Sequence, residues 1–327
     1  MARERKGWVD ALRALAIYLV VAGHMNDGDF LLLTSQVKIP LFFAISGYLF
    51  RENEQRPFKT FAWDKFKRLM IPYFALGVLL LPLLMAGYYW VDRRSPLSVF
   101  KSEFTRLLEG ELFWFLPCLF FTELVTYFLV KLPKLWQRIA ATAAIGLIGA
   151  LTLRTGNPLP WRPECVALMC LFSMLGRGCR KYETRVGAGW IAALGILECL
   201  TLFLEMRLGV AEIDVNLDIW GCLPLNLIAS VIGILFLFAL FPHLPAPRAI
   251  TWLGRNSLVV YVFHIFSNLF LLKMCAYLNL PPLNKCLPLA LIVAVVSCAM
   301  CYVPAVLIDR FCPWLAGNGR FSKSSLA

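Results

Sequence analysis

The sequence predicts an all-α, polytopic membrane protein, a bundle of about ten transmembrane helices. Of its 327 residues, 60% are hydrophobic and 16% are charged, whereas soluble domains hold roughly 45–50% apolar and about 25% charged residues. The apolar residues fall in blocks of about 15 to 24, near the length that a helix needs to cross a hydrocarbon core of about 30 Å. A membrane β-barrel is excluded, because its strands would alternate apolar and polar residues over about ten positions.

The apolar blocks define the predicted spans. These are residues 8–25, 37–50, 69–90, 111–130, 138–153, 164–178, 187–206, 221–241, 257–279 and 287–308. The longest stretches between them are 51–68 and 91–110, so we expect a single membrane domain over residues 1–327. The first span is expected to stay uncleaved, because Asp10 and Arg13 interrupt the apolar core that a signal peptide requires.

The distribution of basic residues predicts the orientation. With the N-terminus placed inside, the inner segments hold 21 Lys and Arg residues and the outer loops hold 10. Basic residues near span ends keep a loop in the cytoplasm, so both termini are expected there. The net charge of +12 is scattered between spans, unlike the localised basic face of a nucleic-acid-binding protein. We therefore expect membrane lipids, and no nucleic acid, as partners.

The eleven cysteines do not indicate a metal site or a disulfide framework. Most lie inside apolar runs, where cysteine behaves as a small hydrophobic residue. Cys298 and Cys301 have metal-ligand spacing but lie within a span without a companion pair. No metal is expected.

The first span carries three ionisable residues, which are costly in a membrane and therefore candidates for function. Asp10, Arg13 and His24 fall on one helix face, and the eleven residues from Arg13 to His24 rise about 16 Å. Alternatively, Asp10 and Arg13 form an i, i+3 pair at one interface, and His24 marks the other interface.

Two further candidates lie in the next segments. Ser46 lies in a short apolar span beside Ala44 and Gly47, which are small enough to admit a neighbouring helix. No nucleophile elbow surrounds Ser46, so packing or positioning is its expected role. Lys65 and Arg68 end the most basic inner loop. They suit either anionic lipid headgroups or a phosphate-bearing ligand.

The remaining candidates lie in the fourth and ninth spans. Trp114 suits an interfacial aromatic belt, and Glu123, well inside its span, is expected to face the bundle interior. Ser257, Tyr261, His264 and Asn268 recur at helical spacing and form one polar stripe, which a hydrogen-bonded seam between helices would also explain.

Taken in order, these motifs resemble the acyltransferase-3 family, which includes bacterial O-acetyltransferases of surface polysaccharides and fucose 4-O-acetylase-like proteins. The resemblance covers nearly the whole chain. It rests on Arg13 followed after ten residues by His24, on the segment around Ser46 and Gly47, on Lys-Arg68-Leu-Met-Ile-Pro-Tyr, on Phe-Trp114-Phe-Leu-Pro, and on Leu-Gly-Arg-Asn-Ser257 running to His264.

The resemblance implies transfer of an acyl group, commonly acetyl from acetyl-CoA, to a hydroxyl of a carbohydrate, a lipid-linked glycan or a related cell-envelope acceptor. It implies a multi-pass enzyme of the bacterial inner membrane. His24, Arg13 and Asp10 are then the catalytic candidates, and Lys65, Arg68 and Arg13 the donor-binding ones. Ser46, Trp114, Glu123, Ser257, Tyr261 and His264 are candidates for binding or positioning substrates. Members of the family often have an arginine where this chain has Lys65, which keeps the charge but loses the bidentate fork.

The motif spacing suggests how the donor lies. Its nucleotide is expected near Lys65, Arg68 and Arg13, and its pantetheine arm along the face that leads to His24, where His24 serves as general base. An acyl-His24 intermediate is the less favoured variant. A secondary transporter or exporter is the alternative function, because buried polar residues also line permeation paths. We see no internal repeat of the kind that such transporters show.

Overall fold

The structure is a computed structural model, and the residues that it describes are almost all helical. Described are residues 6–25, 29–50, 56–154, 157–182, 186–209, 214–215 and 219–317. The α-helices in this part are α1 Gly7–Gly23, α2 Asp29–Lys38, α3 Pro40–Leu49, α4 Phe58–Lys65, α5 Ile71–Asp92, α6 Pro96–Leu108, α7 Phe115–Lys131, α8 Leu135–Thr152, α9 Pro163–Tyr182, α10 Ala188–Leu208, α11 Leu223–Leu240, α12 Arg248–Arg255, α13 Ser257–Tyr277, α14 Leu287–Met300 and α15 Tyr302–Phe311.

The all-helical membrane fold is as predicted, but the number of spans is not confirmed. Within the described residues, five helical stretches are long and apolar enough to cross a membrane. They are Phe58–Trp90, Leu135–Thr152, Leu223–His243, Ser257–Tyr277 and Leu287–Phe311. Each of the ten predicted spans does contain a helix, yet α1 and α7 have 17 residues and α3 has 10. Seventeen residues rise only about 26 Å, less than a typical hydrocarbon core.

Part of the basic loop predicted over 51–68 is helical. Helix α4 continues through a π-helical turn, Phe66–Met70, directly into α5. Such turns add one residue to the helical repeat and are frequent at functional sites. Here the turn contains Arg68, so a predicted loop cation is held on a continuous helix.

Helix α1 lies at the centre of the packing. It contacts α12, α14, α2, α13 and α3, and its apolar residues Leu12, Ala16, Ile17 and Val21 are fully buried. Of the polar residues near its two ends, Asp10 is buried whereas His24 is exposed. Both ends of α1 are places where polar side chains from other helices collect.

Glycines allow α3 and α9 to pack backbone to backbone. A Cβ atom added at Gly47 would lie 1.7 Å from the carbonyl oxygen of Ser173, and one at Gly176 would lie 1.8 Å from that of Ala44. Small residues at helix crossings are the usual way in which membrane helices come this close. The expectation that Ala44 and Gly47 admit another helix is confirmed, and the helix is α9.

We predict that Gly176→Ala destabilises the protein by about 1–3 kcal/mol or more, because the added methyl group overlaps backbone that cannot rotate away. The measurement is thermal unfolding of the purified protein in detergent. Gly178→Ala is the matched control, since the same α9 has open space within 4 Å at this position and alanine favours the helix. Equal melting temperatures for the two variants would contradict the packing described here.

Candidate functional site

The predicted polar residues gather around one large cavity at the end of the bundle where α1 begins. Its volume is about 1320 Å³, larger than the roughly 300–1,000 Å³ of sites for drug-sized ligands. Eight of the eleven candidate residues line it: Asp10, Arg13, Ser46, Lys65, Arg68, Glu123, Ser257 and Tyr261. We call this the first cavity. It brings together five segments that are distant in the sequence.

The first cavity is basic. Among the described residues, eight Lys or Arg side chains line it, against four Asp or Glu side chains. The cationic residues are Lys6, Arg13, Arg56, Lys65, Lys67, Arg68, Arg180 and Arg255. Such an excess of positive charge in a concave site attracts anionic ligands, above all those that carry phosphate groups.

Lys65, Glu123 and Ser46 form one connected group on the wall of the first cavity. The Ser46 hydroxyl donates a hydrogen bond of 2.5 Å to Glu123 Oε1, and Lys65 Nζ lies 2.8 Å from Glu123 Oε2. Glu123 faces the bundle interior as predicted, and its charge is balanced by Lys65. The Lys65 charge is therefore partly neutralised, which makes it a weaker ligand for phosphate than the sequence alone suggested.

Arg68, in contrast to Lys65, keeps its positive charge. Its side chain is exposed, and its Nε donates a hydrogen bond of 3.3 Å to the carbonyl oxygen of Gly317. A carbonyl leaves the arginine charge intact. The neighbouring Lys67 and Arg56 both pair with Asp64, at 3.0 and 3.3 Å. Among the candidates on this helix, Arg68 thus presents the better anion ligand.

Arg255 binds the same Asp10 carboxylate as Arg13, and sequence analysis did not identify it as a candidate. The buried Asp10 carboxylate lies 3.2 Å from Arg255 Nε and 3.8 Å from an Arg13 nitrogen. Arg255 belongs to α12, which packs against α1 so closely that a Cβ atom at Gly254 would lie 1.8 Å from the carbonyl oxygen of Asp10. The basic residue inside the Leu-Gly-Arg-Asn-Ser257 motif was the available signal for Arg255.

His24 lies away from the first cavity, at the other end of α1. It is the C-cap residue of the helix, its side chain is exposed, and it lines a second cavity of about 750 Å³. The two cavities share no lining residue, yet the first one reaches Val20 and Tyr261. Val20 lies one helical turn before His24, so the two cavities approach each other at the level of this histidine.

Among the described residues that line the second cavity there is no Lys, Arg, Asp or Glu. Besides His24 it is lined by Gly23, Met25, Leu272, Cys275, Ala276, Asn279, Leu280, Pro281, Pro282, Leu283 and Asn284. The amides of Asn279 and Asn284 can exchange hydrogen bonds with hydroxyl groups. The remainder is apolar or backbone. This composition suits a neutral, hydroxyl-bearing ligand better than an anion.

The polar stripe of α13 runs between the two cavities. Tyr261 accepts a hydrogen bond of 3.3 Å from the backbone N–H of Phe115, and the buried His264 approaches His24, with ring centroids 5.1 Å apart. The Asn268 amide donates to the carbonyl oxygen of Val21 at 3.3 Å and accepts from Ser297 at 2.6 Å. Asn268 behaves as the seam residue that the alternative explanation expected. His264 does not, because its Nε2 atom is buried without a partner among the described residues.

Trp114 lines neither cavity. The guanidinium of Arg162 lies 5.0 Å from its ring centroid, within the range of a cation–π interaction. Arg162 is itself buried and donates to the carbonyl oxygen of Val215. Trp114 is therefore held inside the protein against Arg162.

No metal-binding cluster occurs in the part of the chain that the structure describes: no three His, Cys, Asp or Glu side chains could hold an ion there. The sequence model of one protein family, described as an acyltransferase domain, matches residues 6–309. No curated protein and no solved structure shows significant similarity to the chain.

We predict that Arg255→Leu destabilises the protein by about 1–3 kcal/mol, because the buried Asp10 carboxylate loses its closer hydrogen-bond donor. Adding Asp10→Asn should restore part of the loss, since the uncompensated charge is then removed. Thermal unfolding in detergent measures both effects. Arg248→Leu, on the same α12 with an exposed side chain, is the control and should leave the melting temperature unchanged. A loss as large for Arg248 would contradict the role given to Arg255.

Proposed function

Because the chain belongs to the acyltransferase-3 family and is a membrane acyltransferase, we propose that it transfers an acyl group, by preference acetyl, from acyl-CoA to a hydroxyl of a glycan or a related cell-envelope acceptor. One observation carries the proposal. A large basic cavity and a smaller neutral cavity approach each other from opposite ends of α1, at the level of His24.

The first cavity suits the donor. Coenzyme A carries its negative charge on phosphates at the nucleotide end, and Arg68 and Arg13 are cations that line the cavity. Lys65 contributes less, because Glu123 binds it at 2.8 Å. The bidentate fork of arginine fits phosphate oxygens better than an ammonium does. We therefore place the nucleotide against Arg68 and Arg13.

The length of α1 matches the donor's arm. From Arg13 to His24 the helix rises about 16 Å, a distance that an extended pantetheine arm spans. The apolar lining near Val20, Ile39 and Phe42 suits that uncharged arm. The thioester then arrives one turn short of His24, where the two cavities approach each other.

His24 then acts as general base. Its imidazole removes the proton from the acceptor hydroxyl while the oxygen attacks the thioester carbonyl. The new C–O bond forms and the C–S bond breaks, and the thiolate of coenzyme A takes the proton from the imidazolium. The atoms and charges balance without a further reactant. General base catalysis by histidine is typically worth about 10²–10⁴ in rate. Asp10 lies at the far end of α1, paired with Arg255, so we assign it to holding Arg13 in the donor site.

The orientation follows from the charge distribution. With 21 basic residues on one side and 10 on the other, both termini belong in the cytoplasm. The first cavity then faces the cytoplasmic supply of acyl-CoA. The second cavity, with its neutral lining, receives the acceptor on the outer side of the cell membrane, for which we propose the bacterial inner membrane.

We predict that His24→Ala lowers kcat by about 10²–10⁴. Arg68→Gln should raise the KM for acetyl-CoA several-fold with a smaller change in kcat, because the substitution removes a ligand of the non-reacting part of the donor. The measurement is acceptor-dependent release of free thiol by the purified protein. Lys59→Gln is the control for Arg68, since Lys59 is exposed on α4 outside the cavity.

A wild-type rate for His24→Ala, at equal protein levels, would remove His24 from the mechanism. A transporter would release no thiol with any acceptor, so that result would favour the alternative function. Mass spectrometry of cell-surface glycans, with the protein present and deleted, identifies the acceptor.

We predict the membrane orientation independently of activity. A fluorescent protein fused to the C-terminus should be bright, and alkaline phosphatase fused at the same place should be inactive, because phosphatase folds only outside the cytoplasm. Phosphatase fused after Leu280, between α13 and α14, is the control and should be active. The reverse pattern would place the first cavity on the wrong side for acyl-CoA.

A further inference from the structure

The His264 ring is held by its own helix. Its Nδ1 atom lies 2.7 Å from the carbonyl oxygen of Tyr261 and 3.1 Å from that of Val260. Carbonyl oxygens only accept hydrogen bonds, so Nδ1 must carry a proton and donate to both. These two contacts fix the tautomer and the orientation of the ring.

The other nitrogen of His264 is left as an acceptor. The side chain is 1% exposed, and a second proton would create a buried charge, which is costly without an opposite charge beside it. The ring is therefore neutral, and Nε2 carries a lone pair. This atom is buried without a hydrogen-bond partner among the described residues. A buried polar atom without a partner calls for an explanation, and a catalytic role is one of those that native proteins show.

His24 is the group best placed to supply that partner. Its ring centroid lies 5.1 Å from that of His264, with the two planes inclined by 36°. The His24 side chain is exposed at the end of α1, where it has room to turn. Catalytic hydrogen bonds are often long or misaligned without substrate and shorten when it binds. A rotation of His24 would bring an N–H of its ring onto Nε2 of His264.

We propose that His264 is the positioning residue of the acyl transfer: its Nε2 accepts a hydrogen bond from the His24 imidazole and thereby leaves the other His24 nitrogen unprotonated towards the acceptor hydroxyl. The inference rests on His24 being the general base. The chain of hydrogen bonds runs from the Tyr261 carbonyl oxygen through His264 to His24. It strengthens when His24 takes up the proton, because a charged donor makes a stronger hydrogen bond.

The hydrogen bonds of Asn268 fix how closely the His24 and His264 rings approach each other. One turn beyond His264, the Asn268 amide donates to the carbonyl oxygen of Val21, three residues before His24. Ser297 fixes the same amide from α14. The register of α13 against the end of α1 is thereby determined.

One other group competes for the role of positioning His24. Asp214 interacts electrostatically with His24, as does Lys38, and Asp214 and Lys38 also act on each other. Lys38 competes with His24 for the charge of Asp214, whereas the His264 ring lies directly beside the His24 ring. The experiment must nevertheless separate His264 from Asp214.

Chemical rescue provides that separation. In His24→Ala, free imidazole should restore thiol release, because it has both an N–H for His264 and a basic nitrogen for the acceptor. 1-Methylimidazole keeps the basic nitrogen but has no N–H, so it should restore less, by about 10- to 100-fold, the range known for removing the hydrogen-bond partner of a metal-bound histidine. Adding His264→Ala should abolish the difference between the two bases. Adding Asp214→Asn should leave it in place.

Steady-state kinetics give the second readout. His264→Ala should lower kcat by about 10- to 100-fold with an unchanged KM for acetyl-CoA. His264→Gln should recover most of kcat, because the glutamine carbonyl oxygen reaches the region of Nε2 and also accepts. Melting temperatures of both variants show that they fold.

The outcomes are distinct. Equal rescue by imidazole and 1-methylimidazole overturns the role of His264, and so does a difference that persists in His264→Ala. A difference lost in Asp214→Asn instead assigns the role to Asp214. Failure of the wild-type protein to release thiol with any acceptor would refute the proposed acyl transfer itself, before His264 is tested.

Discussion

The contact between α1 and α12 is the constraint on which the first cavity depends. Asp10 is buried, and a buried carboxylate needs cations beside it. Arg13 comes from its own helix and Arg255 from α12, and Gly254 lets the two backbones approach closely enough for this contact to form. With α12 fixed in this way, the start of α13 is also fixed, and Ser257 and Tyr261 come to line the cavity. A single buried charge thus organises three helices around the place where we put the donor.

Whether its polar atoms have hydrogen-bond partners distinguishes a structural residue from a candidate catalytic or positioning residue. Ser46, Glu123, Tyr261 and Asn268 all have partners in the structure, and each contact ties one helix to another. His264 differs, because one nitrogen is bound by its own helix and the other has no partner in the described part of the chain. Since leaving such an atom unpaired in a protein interior costs free energy, its persistence next to His24 is an argument for function.

Salt bridges also distinguish the three cations of the basic segment at residues 65–68. The sequence presents Lys65, Lys67 and Arg68 as equivalent cations. In the structure, Lys65 pairs with Glu123 and Lys67 with Asp64, whereas Arg68 donates a hydrogen bond to the backbone carbonyl of Gly317. Lys67 and Arg68 lie within the π-helical turn Phe66–Met70, whereas Lys65 ends the α-helix before it. Lys65, at the position where the resemblance leads us to expect an arginine, thus has a carboxylate partner.

The sequence by itself determined that the chain is an all-helical membrane protein, because apolar blocks of this length are stable only in lipid. It also determined the residues worth attention, since ionisable side chains in a membrane span carry a cost that needs a reason. It placed Arg13 and His24 on one helix face at a distance that the helical rise dictates. Its count of about ten spans stays a prediction: five helical stretches in the described part of the chain are long and apolar enough to cross a membrane, and hydropathy does not distinguish a spanning helix from a short one buried among others.

Only the tertiary structure decided which of these residues meet. Arg255 joins Asp10, Glu123 joins Lys65, and His264 joins His24 across separations of 245, 58 and 240 residues, and no local pattern encodes contacts over such distances. The division into two cavities also belongs to the tertiary structure. One cavity is lined by residues from the start of α1 and the other by residues at its end, because the helices packed around α1 leave space at both of its polar ends.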